Sequence, residues 1–324
     1  MENENKFLSV KDLVVEYTSD GEVIHAVNGV SFDLDKGKCI GLVGETGAGK
    51  TTIAKSILQI IQTPPGKIKQ GEIIFEGEDL LKKDEEYMLN IRGGKISMIF
   101  QDPMTALNPT MTIGSQIAEV VKLHANVSNL EAREQAISIL NRVGIVSERY
   151  NDYPFQFSGG MKQRVVIAMA LVFKPDLILA DEPTTALDVT IQAQILDIIR
   201  DYKEKFGCSM VLITHDLGIV AENCDSVAVV YAGQILEYGS LEDIFDHPSH
   251  PYTLGLFRSL PNMSIGEKRL HPIAGALPDP RNLPKGCVFG PRCPYASDKC
   301  KEAPVELSEI APGHMCRCIN REVK

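Results

Sequence analysis

Short strand-like runs recur along the first part of the chain at 39–43, 95–100, 177–180 and 210–214, the last three apolar at nearly every position. Runs without polar alternation suit parallel strands covered on both faces. Between them lie helical patterns: Ile191, Ile195, Ile198, Ile199 and Tyr202 fall on one stripe, with Asp188 available at the start of that helix. This alternation predicts an α/β fold. The stretch from about 102 to 157 has no strand run and carries helical patterns around 113–123 and 130–143, so it reads as a helical insertion. Beyond Gly239 the chain turns rich in Pro and His at 246–252, and in the tail Pro284, Pro291, Pro294, Pro304 and Pro312 exclude long helices. No internal repeat of fixed period is visible.

The chain has 324 residues, enough for one large α/β domain and an appendage or for two modest domains. Its 33 basic and 43 acidic residues give a formal charge of −10, which disfavours a surface built to neutralise nucleic-acid phosphates. The longest apolar run, 165–173, is closed by Arg164 and Lys174 and falls far short of the ~20 residues a bilayer span needs. The first residues are acidic where a secretory signal is basic, so a cytoplasmic protein is expected. Cys39, Cys208 and Cys224 are scattered, whereas Cys287, Cys293, Cys300, Cys316 and Cys318 crowd the tail. In a reducing compartment such a cluster reads as a metal or iron–sulfur site before it reads as disulfides.

The segment 39–52 runs from a strand through a glycine loop into a helix and matches G-x-x-x-x-G-K-[ST] at Gly44, Gly49, Lys50 and Thr51. Glycines let successive backbone N–H groups of Glu45, Thr46, Gly47, Ala48 and Thr52 face phosphates at a helix N-terminus. Lys50 then reaches the β- and γ-phosphates of ATP, and the Thr51 hydroxyl ligates Mg²⁺. A second element, 176–183, is a buried strand ending in two carboxylates. Side-chain alternation lets Asp181 serve Mg²⁺ while Glu182 orients or deprotonates the attacking water.

The segment 157–164, Phe-Ser-Gly-Gly-Met-Lys-Gln-Arg, resembles the signature of the ABC family, with Phe157 and Met161 in place of the usual Leu and Gln and with Ser158, Gly159 and Gly160 retained. Small residues at the start of an apolar helix form a second phosphate cradle. Gln101 resembles the family's Q-loop, 186–188 its D-loop with Asp188, and His215 its switch histidine. Tyr17 stands where the family places an aromatic on adenine. The resemblance is to the nucleotide-binding subunit of an ABC transporter over about 6–260. It implies a P-loop NTPase with a RecA-like core, an antiparallel β portion near the N-terminus and a helical subdomain at about 102–165. It also implies two subunits closing head-to-tail around two ATP molecules. Soluble ABC ATPases of translation or DNA repair are the alternative, but they usually join two ATPase domains or insert a long coiled coil, and neither is visible.

Residues 247–256 and 286–296 resemble the extension, 261–324 here, of ATPases that power dipeptide and oligopeptide importers. The resemblance implies a paralogous ATPase partner, two transmembrane permease subunits, an extracytoplasmic peptide-binding protein and a place on the cytoplasmic face of the membrane; nickel chelates use the same ATPase type. His247, His250 and His271, beside prolines, read as a solvated loop. The four thiols Cys287, Cys293, Cys300 and Cys318 suit a [4Fe–4S] cluster or tetrahedral Zn²⁺, and their wide gaps lack the tight knuckles of zinc sites. Members of the resembled group carry such a cluster, and their Gly-His-x-x-x-Cys pattern points to Cys318 rather than Cys316 as the fourth ligand. The tail is expected to take no part in phosphoryl transfer.

Overall fold

The computed structural model describes residues 6–185, 187–259 and 272–320. They fall into two units, one of 1–35, 39–81 and 213–324, the other of 36–38 and 82–212.

The first unit opens with β1 (Leu8–Ser19) and β2 (Glu22–Leu34), joined at Asp20 and Gly21, both at positive φ. Then come β3 (Cys39–Val43), α1 (Lys50–Ile57), β4 (Gly66–Phe75) and β5 (Glu78–Asp79). Strands β2, β1, β4 and β5 form an antiparallel sheet in that order. In β1 strict alternation would turn Leu13 outward, yet Val10 and Leu13 are both buried. The register shift between them, with Asp12 at φ 46°, is a bulge that returns Leu13 to the core face.

The second unit carries α2 (Glu85–Ile91), β6 (Ile96–Ile99), α3 (Pro103–Ala106), α4 (Ile113–His124), α5 (Asn129–Arg142), α6 (Gly159–Leu171), β7 (Leu177–Asp181), α7 (Val189–Phe206) and β8 (Ser209–Thr214). Here β7 lies between β8 and β6, parallel to β6, and every residue of the three is buried, which is why their sequences read as unbroken apolar runs. The two helical patterns expected in the insertion are α4 and α5, the latter begun by a capping box of Ser128 and Glu131. Helix α7 is capped by the Asp188 carboxylate, which accepts from Ile191 N–H at 3.0 Å, and ends at Gly207 in the left-handed region.

Returning to the first unit, the chain forms α8 (Leu217–Asn223), β9 (Ser226–Tyr231), β10 (Gln234–Ser240), α9 (Leu241–Asp246), α10 (Pro251–Arg258), α11 (Lys299–Glu302), β11 (Ser308–Ala311) and β12 (His314–Cys316). Strand β9 is parallel to β3, and β10, β12 and β11 follow antiparallel. The proline-rich tail thus holds no long helix among its described residues but adds two strands to the β9–β10 hairpin. Glu237 on β10 anchors it: the buried carboxylate meets His314 Nε2 at 2.9 Å and accepts from the N–H groups of Ser249 and His250. No helix among the described residues is long and apolar enough to cross a membrane.

Candidate active site

In the first unit the glycine loop leaves the buried strand β3 and enters α1 through Gly49, at φ 102°. A Cβ on Gly44 would lie 2.0 Å from the Val230 carbonyl oxygen, and one on Gly49 would lie 2.4 Å from that of Ala26. The loop is therefore pressed against β9 and β2, where only glycine fits. Lys50 is buried and turns back over the loop, donating from Nζ to the carbonyls of Gly44 at 2.8 Å and Glu45 at 3.1 Å. Thr46 and Gly47 stand exposed at the loop tip, while Ala48 is buried and its carbonyl accepts from Gly233 N–H. Thr51 and Thr52 are half-buried in the first turn of α1.

Tyr17, half-buried on β1, pairs with Ile24 on one side and Gly66 on the other, and a Cβ on Gly66 would lie 2.8 Å from its ring. His215 is exposed one residue past β8, before the Asp216 carboxylate that caps α8.

In the second unit the carboxylates at the end of β7 are differentiated as alternation requires. Asp181 is buried, whereas Glu182 is half-buried at φ 44°, a left-handed conformation rare outside glycine. Gln101 Nε2 donates to Glu182 Oε2 at 3.1 Å, and Thr185 Oγ1 donates to the same oxygen at 2.7 Å. The structure thus joins the Q-loop glutamine to the catalytic candidate. Thr185 was not singled out from the sequence, although its place three residues after Glu182 in a turn is the signal that finds it.

Ser158 caps α6, its hydroxyl accepting from Met161 N–H. A Cβ on Gly160 would lie 2.7 Å from Ile191 Cγ2, so the starts of α6 and α7, and with them Gly159, Gly160 and Asp188, are close neighbours. The two departures from the usual signature share one partner: Arg149 lies 4.1 Å from the Phe157 ring centroid and donates to Met161 Sδ at 3.3 Å. Ala186, in the D-loop, lies outside the described residues.

In the tail Cys287, Cys293, Cys300 and Cys318 line one cavity together with His250, Phe289 and Tyr295, and Cys316 is not among its lining residues. Cys316 is buried on β12. Burial raises the thiols of Cys287 and Cys293 above the ordinary range and pushes that of Cys318 up to about 11. Among the described residues no three His, Cys, Asp or Glu side chains are grouped to hold a single metal ion. The expectation of a solvated histidine loop needs correction. His247 is exposed, but His250 is buried because its ring caps α10, Nδ1 accepting from Tyr252 N–H at 3.0 Å. Its Nε2 is buried without a hydrogen-bond partner among the described residues, and burial lowers its pKa to about 4. His271 lies outside the described residues.

Residues 27–185 match the ABC transporter family, and 236–300 match the oligopeptide/dipeptide transporter C-terminal region. The chain is 51% identical to the oligopeptide transport ATP-binding protein OppD of Bacillus subtilis, across 90% of this chain and 82% of that one. It is 50% identical to the dipeptide transport ATP-binding protein DppD of the same organism, across 97% and 94%. It is 42% identical to the Escherichia coli DppD, across 96% and 95%. A dimeric ATP-binding cassette solved in a post-hydrolysis state with ADP and phosphate superposes with a TM-score of 0.65 at 27% identity, over 72% of this chain and 98% of that one. The phosphate loop, the Gln101–Glu182 pair and the capped signature helix lie within residues 27–185 of the family match, and the chain belongs to the ATP-binding subunits of the ABC-type oligopeptide/dipeptide transporters, which are ATPases.

Proposed function

We propose that the chain powers import of dipeptides and oligopeptides from the cytoplasmic face of the membrane, paired with a paralogous ATPase chain and bound to two transmembrane permease subunits that receive solute from an extracytoplasmic peptide-binding protein. The peptide class is supported by the names of the relatives and by the separate match of the C-terminal region. In this reading 1–260 form the ATPase domain, with a helical subdomain at about 102–165, and 261–324 form the importer extension. Apolar side chains exposed on the second unit, Met104 and the stacked Tyr153 and Phe155 among them, favour a protein partner there.

The observation that carries the catalytic reading is the grip of Gln101 and Thr185 on Glu182. Two hydrogen bonds to one oxygen fix the carboxylate so that it can orient a water and accept its proton as that water attacks the γ-phosphorus. Lys50 exchanges the carbonyls of Gly44 and Glu45 for β- and γ-phosphate oxygens, Tyr17 stacks on adenine, and His215 contacts the γ-phosphate. Thr51 would offer Mg²⁺ a hydroxyl oxygen, and Gln101 and Asp181 amide and carboxylate oxygens, the hard donors that ion takes; when bound it would neutralise charge on the phosphates. Ser158, Gly159 and Gly160, with Asp188, complete the ATP site of the partner subunit.

For the tail the proposal is a [4Fe–4S] cluster held by Cys287, Cys293, Cys300 and Cys318. The four thiols share one cavity, with His250 and no carboxylate among its lining residues. Their wide sequence gaps lack the tight knuckles of zinc sites, which supports the cluster over zinc. When bound it supplies four sulfur–iron ties between segments that have little core of their own.

Cells lacking the gene are expected to lose uptake of labelled di- to pentapeptides while taking up free amino acids normally, with rescue by the wild-type gene and none by Glu182→Gln. Intact peptide uptake combined with lost nickel uptake would replace the peptide assignment.

A further inference from the structure

Glu45 places a carboxylate in the wall of a loop that receives a polyanion, and by itself that charge opposes a triphosphate. In the first unit it is answered from the far end of the chain. Arg292 Nη1 donates to both Glu45 carboxylate oxygens at 3.0 Å and to the Tyr231 hydroxyl at 3.3 Å. Its Nε donates to the Ala274 carbonyl at 2.9 Å and its Nη2 to that of Ile273 at 3.2 Å, so all three guanidinium nitrogens are engaged. The Arg292 side chain is only 6% exposed, which fixes the fork in place.

Two further contacts from the C-terminal segments reach the same loop. The Tyr252 hydroxyl accepts from Glu45 N–H at 3.1 Å. Leu277 Cδ1 lies 3.8 Å from where a Cβ on Gly47 would stand. Behind them the rings of Tyr231, Tyr252 and Phe289 pack with centroids 4.7 to 5.4 Å apart, and Phe289 lies on the cavity lined by the cysteines.

We infer that Arg292 is a positioning residue for nucleotide binding: from the C-terminal extension it neutralises and anchors Glu45, so that the phosphate loop receives ATP with no uncompensated carboxylate in its wall. The inference rests on the reading of 44–51 as the nucleotide site. It changes the expectation for the tail, which touches the loop that holds the substrate.

The experiment is a calorimetric titration of the full-length chain with Mg²⁺ and a non-hydrolysable ATP analogue, at low and high salt. Arg292→Ala is expected to raise Kd about tenfold in the wild-type background and less than about twofold in a Glu45→Gln background. The penalty in the wild-type background should shrink as salt is raised. Equal penalties in both backgrounds mean that Arg292 acts only as scaffold and overturn the inference, as does an unchanged Kd for Arg292→Ala. If Arg292→Ala fails to fold by circular dichroism, Arg292→Lys carries the same comparison. Lys50→Ala separates the two levels: tight binding by that variant overturns the reading of the loop itself, whereas its loss of binding beside a silent Arg292→Ala overturns only the inference.

Discussion

Glu182 is a carboxylate held in a backbone conformation that costs a non-glycine residue energy, on the order of 1 to 3 kcal/mol, and such strain persists where the surrounding contacts enforce it. Here the contacts are Gln101 and Thr185, both on Oε2. Glu182→Gln keeps the size and the strain of the side chain and removes its basicity. It is expected to lower ATP turnover by roughly 10²- to 10⁴-fold while ATP still binds; a phosphate-release assay within threefold of wild type would remove Glu182 from its role. The role proposed for this residue was legible in the sequence because a strand ending in two adjacent carboxylates, in a chain that also has a phosphate loop, points the two in different directions. Arg292 was not legible. Its partner Glu45 is 247 positions away, and nothing local in Gly-Pro-Arg-Cys-Pro announces a bond to a glycine loop. His250 was misread for a related reason, since Pro on either side suggests a loop, whereas here the ring caps α10 and is sealed under the tail.

Among the elements, β3, β6, β7 and β8 could be read from composition because burial on both faces removes the polar positions that mark an exposed strand. Strands β11 and β12 could not, being four and three residues long, with β12 joined to β10 beside Glu237, whose contact with His314 spans 77 positions. This hairpin and the cysteine-bearing turns have few apolar residues between their prolines, so metal binding there is expected to act as folding energy. Protein purified without oxygen should be brown, with broad absorbance near ~400 nm and about four irons per chain. Cys287→Ser, Cys293→Ser, Cys300→Ser and Cys318→Ser should each bleach it and make the tail protease-sensitive, whereas Cys316→Ser should leave the colour. Colourless protein with one zinc per chain would keep the ligands and replace the cluster, and bleaching by Cys316→Ser alone would exchange the fourth ligand.

At the scale of the whole molecule, the chain carries both halves of the proposed phosphate-gripping apparatus, the loop at α1 and the signature at α6, and in the proposed assembly one serves its own ATP and the other that of the partner chain. Ser158 is positioned by its own cap and Gly160 by Ile191, so the signature cradle is formed before any partner arrives. Its proposed ligand is the γ-phosphate of ATP bound to the partner chain. Association is then linked to nucleotide: without ATP the cradle gains nothing from a partner, and with ATP bound and not hydrolysed it gains charge-assisted hydrogen bonds at each of two sites. The related cassette solved with ADP and phosphate is itself dimeric. Sedimentation of the isolated wild-type chain without nucleotide should therefore show a monomer, and a phosphate-release assay with Mg²⁺ and ATP should show slow turnover. Glu182→Gln with Mg²⁺ and ATP should sediment as a dimer, and adding Ser158→Arg, which fills the cradle with a long cation, should return it to monomer. A tight dimer in the absence of nucleotide, or one indifferent to the change at Ser158, would mean that some other surface joins the chains.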